Sequence, residues 1–123
     1  MVSLEEFEMM AGEIADNIPE QFYEGLNGGI LLKEEMRLHP ISRENAPVYV
    51  MGLYVRDLLG CRIEIYYGSF LITCERFSKE RIYKQLKQTI YHEFEHHVET
   101  MCGNIDLILK DEEELDKMKK RGK

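Results

Sequence analysis

The segment spanning residues 78–102 constrains the fold of this 123-residue chain more than any other. Its apolar residues recur at three- and four-residue intervals, the period of an amphipathic α-helix. Ser78 is a suitable N-cap, and Gly103 with Asn104 is typical of a helix end. We therefore predict one long helix that turns an apolar face to the core. That face carries Ile82, Tyr83, Leu86, Ile90, Phe94, Val98 and Met101.

The rest of the chain predicts an α+β fold in which residues 1–123 form a single domain. Ser3 and Glu6 form a capping box for a first helix, which Pro19 ends. Strands are predicted at 30–33, at 48–55 with Gly52 as a bulge, and at 62–67, where apolar and polar residues alternate until Gly68 and Ser69 break the strand. A loop covers 34–47, and a short C-terminal helix is predicted from residue 111 onward.

Charge and cysteine content limit the partners and the compartment. The formal net charge of −7 argues against nucleic acid or an anionic membrane as a partner, because both require a positive surface. No apolar run is long enough to span a bilayer, and the acidic N-terminus is unlike a signal peptide. Cys61, Cys74 and Cys102 are isolated and odd in number, which fits a reducing compartment. We expect a cytoplasmic protein.

The polar face of the long helix carries an HExxH motif, formed by His92, Glu93 and His96. Histidines four residues apart lie one above the other on a helix, so that their imidazoles can hold one zinc ion. The intervening Glu93 is then a candidate general base for a water molecule that the metal activates. The alternative is a polar helix face that matches the motif by chance.

A hydrolytic zinc site uses three protein ligands and leaves one position open. Glu99 lies on the same helical face as His92 and His96 and is our predicted third ligand. Cys102, ten residues after His92, and Asp106, beyond the predicted helix end, are the alternatives.

Three segments resemble the small bacterial zincin-like metallopeptidases. These are the opening of the first helix at 2–7, the strand at 62–68 that ends in Tyr-Gly, and the motif at 89–97. The resemblance implies a minimal zincin-like fold, zinc as cofactor, His92 and His96 as ligands and Glu93 as base. The family motif commonly continues with a glycine and an aspartate ligand, where this chain has Glu99 and Cys102.

The same resemblance implies an edge strand beside the motif helix that binds extended peptide as an added strand. We assign that role to residues 63–67. Tyr66, Tyr67 and Tyr91 are candidates for stabilising an oxyanion, although packing roles are more common for tyrosine.

The leading hypothesis is a zinc-dependent metallopeptidase that acts on peptides or unfolded polypeptides. The second is a zincin-fold module that binds metal or peptide with little or no turnover, because so short a chain has no second lobe to close the cleft. The third is a structural protein without a metal.

Overall fold

The protein is a small α+β domain, and a computed structural model describes its residues 2–109, with side chains to residue 102. Three α-helices, a short 3₁₀ helix and three strands follow one another along the chain. In chain order they are α1 (Leu4–Asp16), the 3₁₀ helix (Glu20–Tyr23), β1 (Ile30–Lys33), β2 (Gly52–Asp57), β3 (Gly60–Tyr66), α2 (Tyr67–Thr73) and α3 (Lys79–Leu109).

Helix α1 begins as its sequence predicts. The Ser3 hydroxyl accepts the Glu6 backbone N–H at 3.1 Å, and the Glu6 carboxylate accepts the Ser3 N–H at 3.2 Å. This reciprocal pair satisfies two backbone donors that the first turn leaves free. The capping box therefore fixes where the first helix starts.

The three strands form a mixed sheet in the order β1-β3-β2. β1 pairs with β3 in parallel, and β2 pairs with β3 in antiparallel through a hairpin at residues 58 and 59. β3 is therefore the central strand, and our prediction that residues 63–67 form the edge beside the motif helix is wrong. The edge strand against that helix is β2, and the sequence pattern missed this because the chain forms the third strand between the first two.

Two further details of the sheet differ from prediction. β2 starts four residues later than expected, and its pairing with β3 is one-to-one from Gly52 to Asp57, so Gly52 is not a bulge. β3 passes directly into α2 at Tyr67, a helix that the sequence did not predict. Gly68 and Ser69 do end the strand, but they lie inside this helical turn.

The core lies between β3 and the apolar faces of α1 and α3. Ile63 and Ile65 face it from the sheet and are fully buried. The predicted stripe of α3 supplies Ile82, Leu86, Ile90 and Phe94, all buried. α1 contributes Phe7, Ala11 and Ile14. Because one stripe of α3 is buried here, its opposite face, which carries His92 and His96, is turned away from the core, whereas Glu93 lies at the border of the two faces and is buried.

The C-terminal part of α3 also departs from prediction. The helix continues through Gly103 and Asn104 to Leu109, since neither residue is enough by itself to end it. The short helix predicted after residue 111 lies outside the described residues. Within residues 2–109, no helix is both long and apolar enough to cross a membrane.

Candidate metal centre

His92 and His96 lie together on the exposed face of α3. Their Nε2 atoms are 3.1 Å apart, and their ring planes are nearly perpendicular, at 83°. Two nitrogens that bind one tetrahedral zinc at about 2.0–2.1 Å are separated by about 3.3 Å. The pair therefore fits two neighbouring positions of such a metal.

Glu93 is held differently from the two histidines. It is only 6% exposed, and no described side chain forms a hydrogen bond with its carboxyl group. Burial raises the pKa of Glu93, while His96, His92 and the backbone N–H of Tyr54 oppose this rise only in part. A buried carboxyl group that faces a groove and carries a raised pKa is suited to accept and return a proton.

The structure places the predicted third ligand beside the pair but on its other side. Oε2 of Glu99 is 4.0 Å from Nδ1 of His96, the nitrogen that points away from His92. Cys102 is partly buried, and the side chain of Asp106 lies outside the described part of α3. Across the described residues, no group of three His, Cys, Asp or Glu side chains is assembled for a metal ion.

Strand β2 faces the motif helix through Gly52. A β-carbon at this position would lie 2.7 Å from Cγ2 of Thr89 and 3.4 Å from Cγ of Glu93. The strand can approach α3 at Glu93 only because residue 52 has no side chain. Glycine is thus required here for a close approach, rather than for the bulge that we predicted.

The outer edge of β2 offers backbone groups beside Glu93. Tyr66 N–H donates to Met51 O, so that Leu53 and Val55 continue the hydrogen-bonded pairs with β3. By the alternation of an antiparallel ladder, the N–H and C=O groups of Gly52, Tyr54 and Arg56 point away from β3. The Tyr54 N–H already donates to the Glu93 carboxylate, so within the described structure the groups left for strand addition are those of Gly52 and Arg56 and the Tyr54 C=O.

Tyr54 and His97 tie this edge to the helix, a contact that the sequence analysis missed. The Tyr54 hydroxyl is 2.8 Å from Nδ1 of His97, and Nε2 of His97 is 2.8 Å from the Glu24 carbonyl oxygen. A carbonyl oxygen only accepts, so Nε2 of His97 carries a proton, and in this tautomer Nδ1 accepts from the Tyr54 hydroxyl. Burial, the largest cause, raises the pKa of Tyr54 to about 12. One signal in the sequence could have indicated this contact. Tyr54 lies two residues after Gly52, so both residues are on the same face of the strand, the face that meets α3.

The three tyrosines considered as oxyanion donors occupy different surroundings. The Tyr66 hydroxyl donates to Glu64, and the Tyr67 hydroxyl donates to the Val2 carbonyl oxygen. Both hydroxyls are therefore already engaged in other contacts. Tyr91 is 40% exposed and lines the groove beside His92.

The groove between β2 and α3 has two chambers that share Glu93. The larger, about 840 Å³, lies between residues 49–52 and the helix face that runs from Lys84 to Glu95. The smaller, about 290 Å³, is lined by Leu53, Tyr54, Glu93, His96, Glu99 and Thr100. The candidate base therefore lies where a chain running through the groove would pass from one chamber to the other.

Comparison with known proteins supports the fold. No family model and no curated protein matches this chain. Among solved structures, a conserved hypothetical protein from T. thermophilus is similar, with a TM-score of 0.71 and 26% sequence identity. The match covers 83% of this chain and 99% of that one. The architecture of most of this chain thus recurs in a second protein.

Proposed function

We propose that this chain is a zinc-dependent peptidase that hydrolyses peptide bonds in short or unfolded polypeptides. The proposal is carried by the 3.1 Å separation of the His92 and His96 Nε2 atoms, on the exposed face of α3. Two further features support it: Glu93 is buried without a side-chain partner, and no strand of the described structure pairs with the outer edge of β2 beside it.

His92 and His96 would hold the metal through Nε2, and Glu93 would handle the proton. When bound, zinc would lower the pKa of water toward about 7 and polarise the substrate carbonyl. A carboxylate oxygen of Glu93 accepts the proton of the attacking water and returns it to the leaving amine. The outward N–H and C=O groups of Gly52 and Arg56, with the C=O of Tyr54, bind the substrate backbone as an added strand, which aligns the peptide bond with Glu93.

Glu99 remains our proposed third ligand, and two roles are open to it. To reach a metal on the Nε2 side it must rotate away from Nδ1 of His96, where it now lies 4.0 Å distant. A carboxylate that stays at Nδ1 would instead orient the imidazole of His96. The present position of Glu99 favours a second candidate function, a zincin-like module that binds metal or peptide with little turnover.

Metal analysis of the purified chain tests the proposal. We expect one zinc per chain after purification without chelator, and loss of zinc in both His92→Ala and His96→Ala. His39 lies outside the motif but lines the larger chamber with His92 and Glu93, so His39→Ala tests whether a third histidine takes part, and we expect it to keep its zinc. Wild-type protein without stoichiometric zinc would overturn the proposal.

The same measurement on Glu99→Ala, Cys102→Ala and Asp106→Ala identifies the third ligand. Removal of a true ligand should abolish zinc binding at low metal concentration, whereas loss of an orienting carboxylate lowers metal affinity about 10–100-fold. Loss of zinc in Cys102→Ala with retention in Glu99→Ala would reassign the ligand.

A further inference from the structure

The charge of the groove changes along its length. Lys84 and Lys87 line the end of the larger chamber that is farthest from Glu93, whereas Glu99 lines the smaller chamber. Glu95 also borders the larger chamber, but it lies two residues after Glu93 along the helix, on the side away from the two lysines. In a chain of net charge −7, two neighbouring cations at one end of a groove favour a negatively charged ligand at that end.

Both lysines are available for such a ligand. In the part of the chain that the structure describes, neither forms an ion pair with a carboxylate. Nζ of Lys87 lies 5.6 Å from the centroid of the Tyr91 ring, a cation–π contact that keeps the amine along the groove wall.

The direction of β2 decides which part of a substrate reaches the lysines. Gly52 lies against Thr89 and Glu93, and Tyr54 lies against His97, so β2 and α3 run in the same direction. A strand added antiparallel to β2, the more stable pairing, runs the opposite way. Residues on the carboxyl side of the peptide bond at Glu93 then enter the larger chamber.

Helix and strand geometry give the distance. With a rise of about 1.5 Å per residue, Lys87 and Lys84 lie about 9 Å and 13.5 Å from Glu93 along the axis. An extended chain advances about 3.3 Å per residue, so these distances correspond to about three to four residues. Backbone pairing does not extend that far, since Val50 N–H already donates to Arg37 O and His39 N–H donates to Val48 O.

We propose that the end of the groove formed by Lys84 and Lys87 binds a carboxylate that lies about three to four residues to the carboxyl side of the cleaved bond. This inference rests on the proposed function for its substrate. The carboxylate can belong to an Asp or Glu side chain or to the C-terminus of the polypeptide. Both sources present the same carboxylate group, and amidation of the C-terminus, which removes only the terminal carboxylate, distinguishes between them.

The test uses short unstructured peptides of equal length in three forms. One carries glutamates in its carboxyl-terminal half and an amidated end, one carries glutamines and a free carboxylate, and one carries glutamines and an amidated end. Binding is measured by fluorescence anisotropy with full-length Glu93→Gln, so that the peptides stay intact. Cleavage positions are mapped by mass spectrometry with the zinc-loaded wild type.

We expect one or both carboxylate peptides to bind more tightly than the uncharged one. The Lys84→Gln/Lys87→Gln double variant should reduce this binding about tenfold, or about threefold per lysine, because these are exposed ion pairs. The preference should also weaken at high ionic strength. Arg76→Gln, which removes an exposed cation that does not line the groove, should leave binding unchanged.

The outcomes separate this inference from the proposed function. Equal binding of all three peptides, or an equal loss in the double variant and in Arg76→Gln, overturns the carboxylate site. Cleavage of all three peptides without a preference for the acidic ones also overturns the carboxylate site, but it supports the proposed peptidase activity. A preference that depends on the lysines, in a protein that holds no zinc and cleaves none of the peptides, supports the site and overturns the peptidase.

Discussion

Two glutamates of this protein are almost equally buried and have opposite surroundings. Glu64 is 7% exposed and Glu93 is 6% exposed. Glu64 lies on β3, where the Tyr66 hydroxyl donates to one of its oxygens and Nε of Arg62 donates to the other at 2.9 Å. Glu93 has no side-chain donor among the described residues.

The pKa values respond to this difference. At Glu64, burial by itself raises the pKa, but the hydrogen bonds from Tyr66 and Arg62 outweigh it and leave the pKa lowered. At Glu93, burial prevails and the pKa is raised. A carboxylate that accepts from two side-chain donors stabilises the fold, whereas one that has only a backbone N–H remains able to exchange a proton. Burial by itself therefore does not distinguish a structural glutamate from a candidate base.

The largest expected effect is on hydrolysis by Glu93→Gln. We expect peptide cleavage to fall by about 10²–10⁴-fold, the range for loss of a general base, while zinc content stays at the wild-type level. Apo-protein stability should be unchanged or higher, because the substitution removes a buried charge that no side chain pairs. Cleavage at the wild-type rate would assign the base to another residue, and unchanged peptide binding without any hydrolysis in wild type would favour the binding module.

Glu64→Gln should affect stability instead of chemistry. The ion pair with Arg62 is lost, and we expect the free energy of unfolding to fall by about 2–3 kcal/mol in urea titrations at neutral pH. Glu8→Gln, an exposed change on α1, is the control and should have little effect.

The pH dependence of this loss has a definite sign. Because the pKa of Glu64 is lowered in the folded protein, its contribution is present above the unfolded value of about 4.3 and disappears as the pH falls through the folded value. The stability difference between wild type and Glu64→Gln should therefore shrink on acidification below about pH 4.3. A difference that grows in acid would contradict the pairing described for Glu64.

A smaller effect is expected at the contact between β2 and α3. Gly52→Ala places a methyl group 2.7 Å from Cγ2 of Thr89 and should cost about 1–2 kcal/mol of stability as the strand and helix separate at Glu93. Thr89→Ser removes the Cγ2 methyl group of residue 89, so the double variant should recover part of the loss, while the 3.1 Å approach to Cδ1 of Ile65 stays. A double variant that is no more stable than Gly52→Ala would mean that the close approach does not limit the packing.

The polar face of α3 illustrates how much of the site could be predicted from sequence. Helical periodicity alone places His92 and His96 together and turns them away from the stripe formed by Ile82, Leu86 and Ile90, as the structure confirms. The capping box of α1 and the position of β1 are confirmed for the same reason, since their signals lie within a few neighbouring residues. The identity of the third ligand stays a prediction.

The sheet illustrates what sequence could not provide. Alternation in residues 62–67 predicts a strand but not its neighbours, so β3 was assigned to the edge and is in fact central. The strand order depends on where the chain returns after the 34–47 loop, and no local pattern encodes that path. The tie between Tyr54 and His97 was missed for the same reason, because its two residues are 43 positions apart.

The sequence by itself therefore determined which side chains stand together on α3, because the spacing of two histidines and a glutamate on one helix is a local property. The tertiary structure decided how that chemistry is presented. Packing of α3 against β2 buries Glu93 without a side-chain partner, whereas the pairing of β3 with its own neighbours surrounds Glu64 with donors. Solvent exposure and hydrogen-bond partners depend on contacts between segments distant in sequence, and these contacts form only when the chain folds.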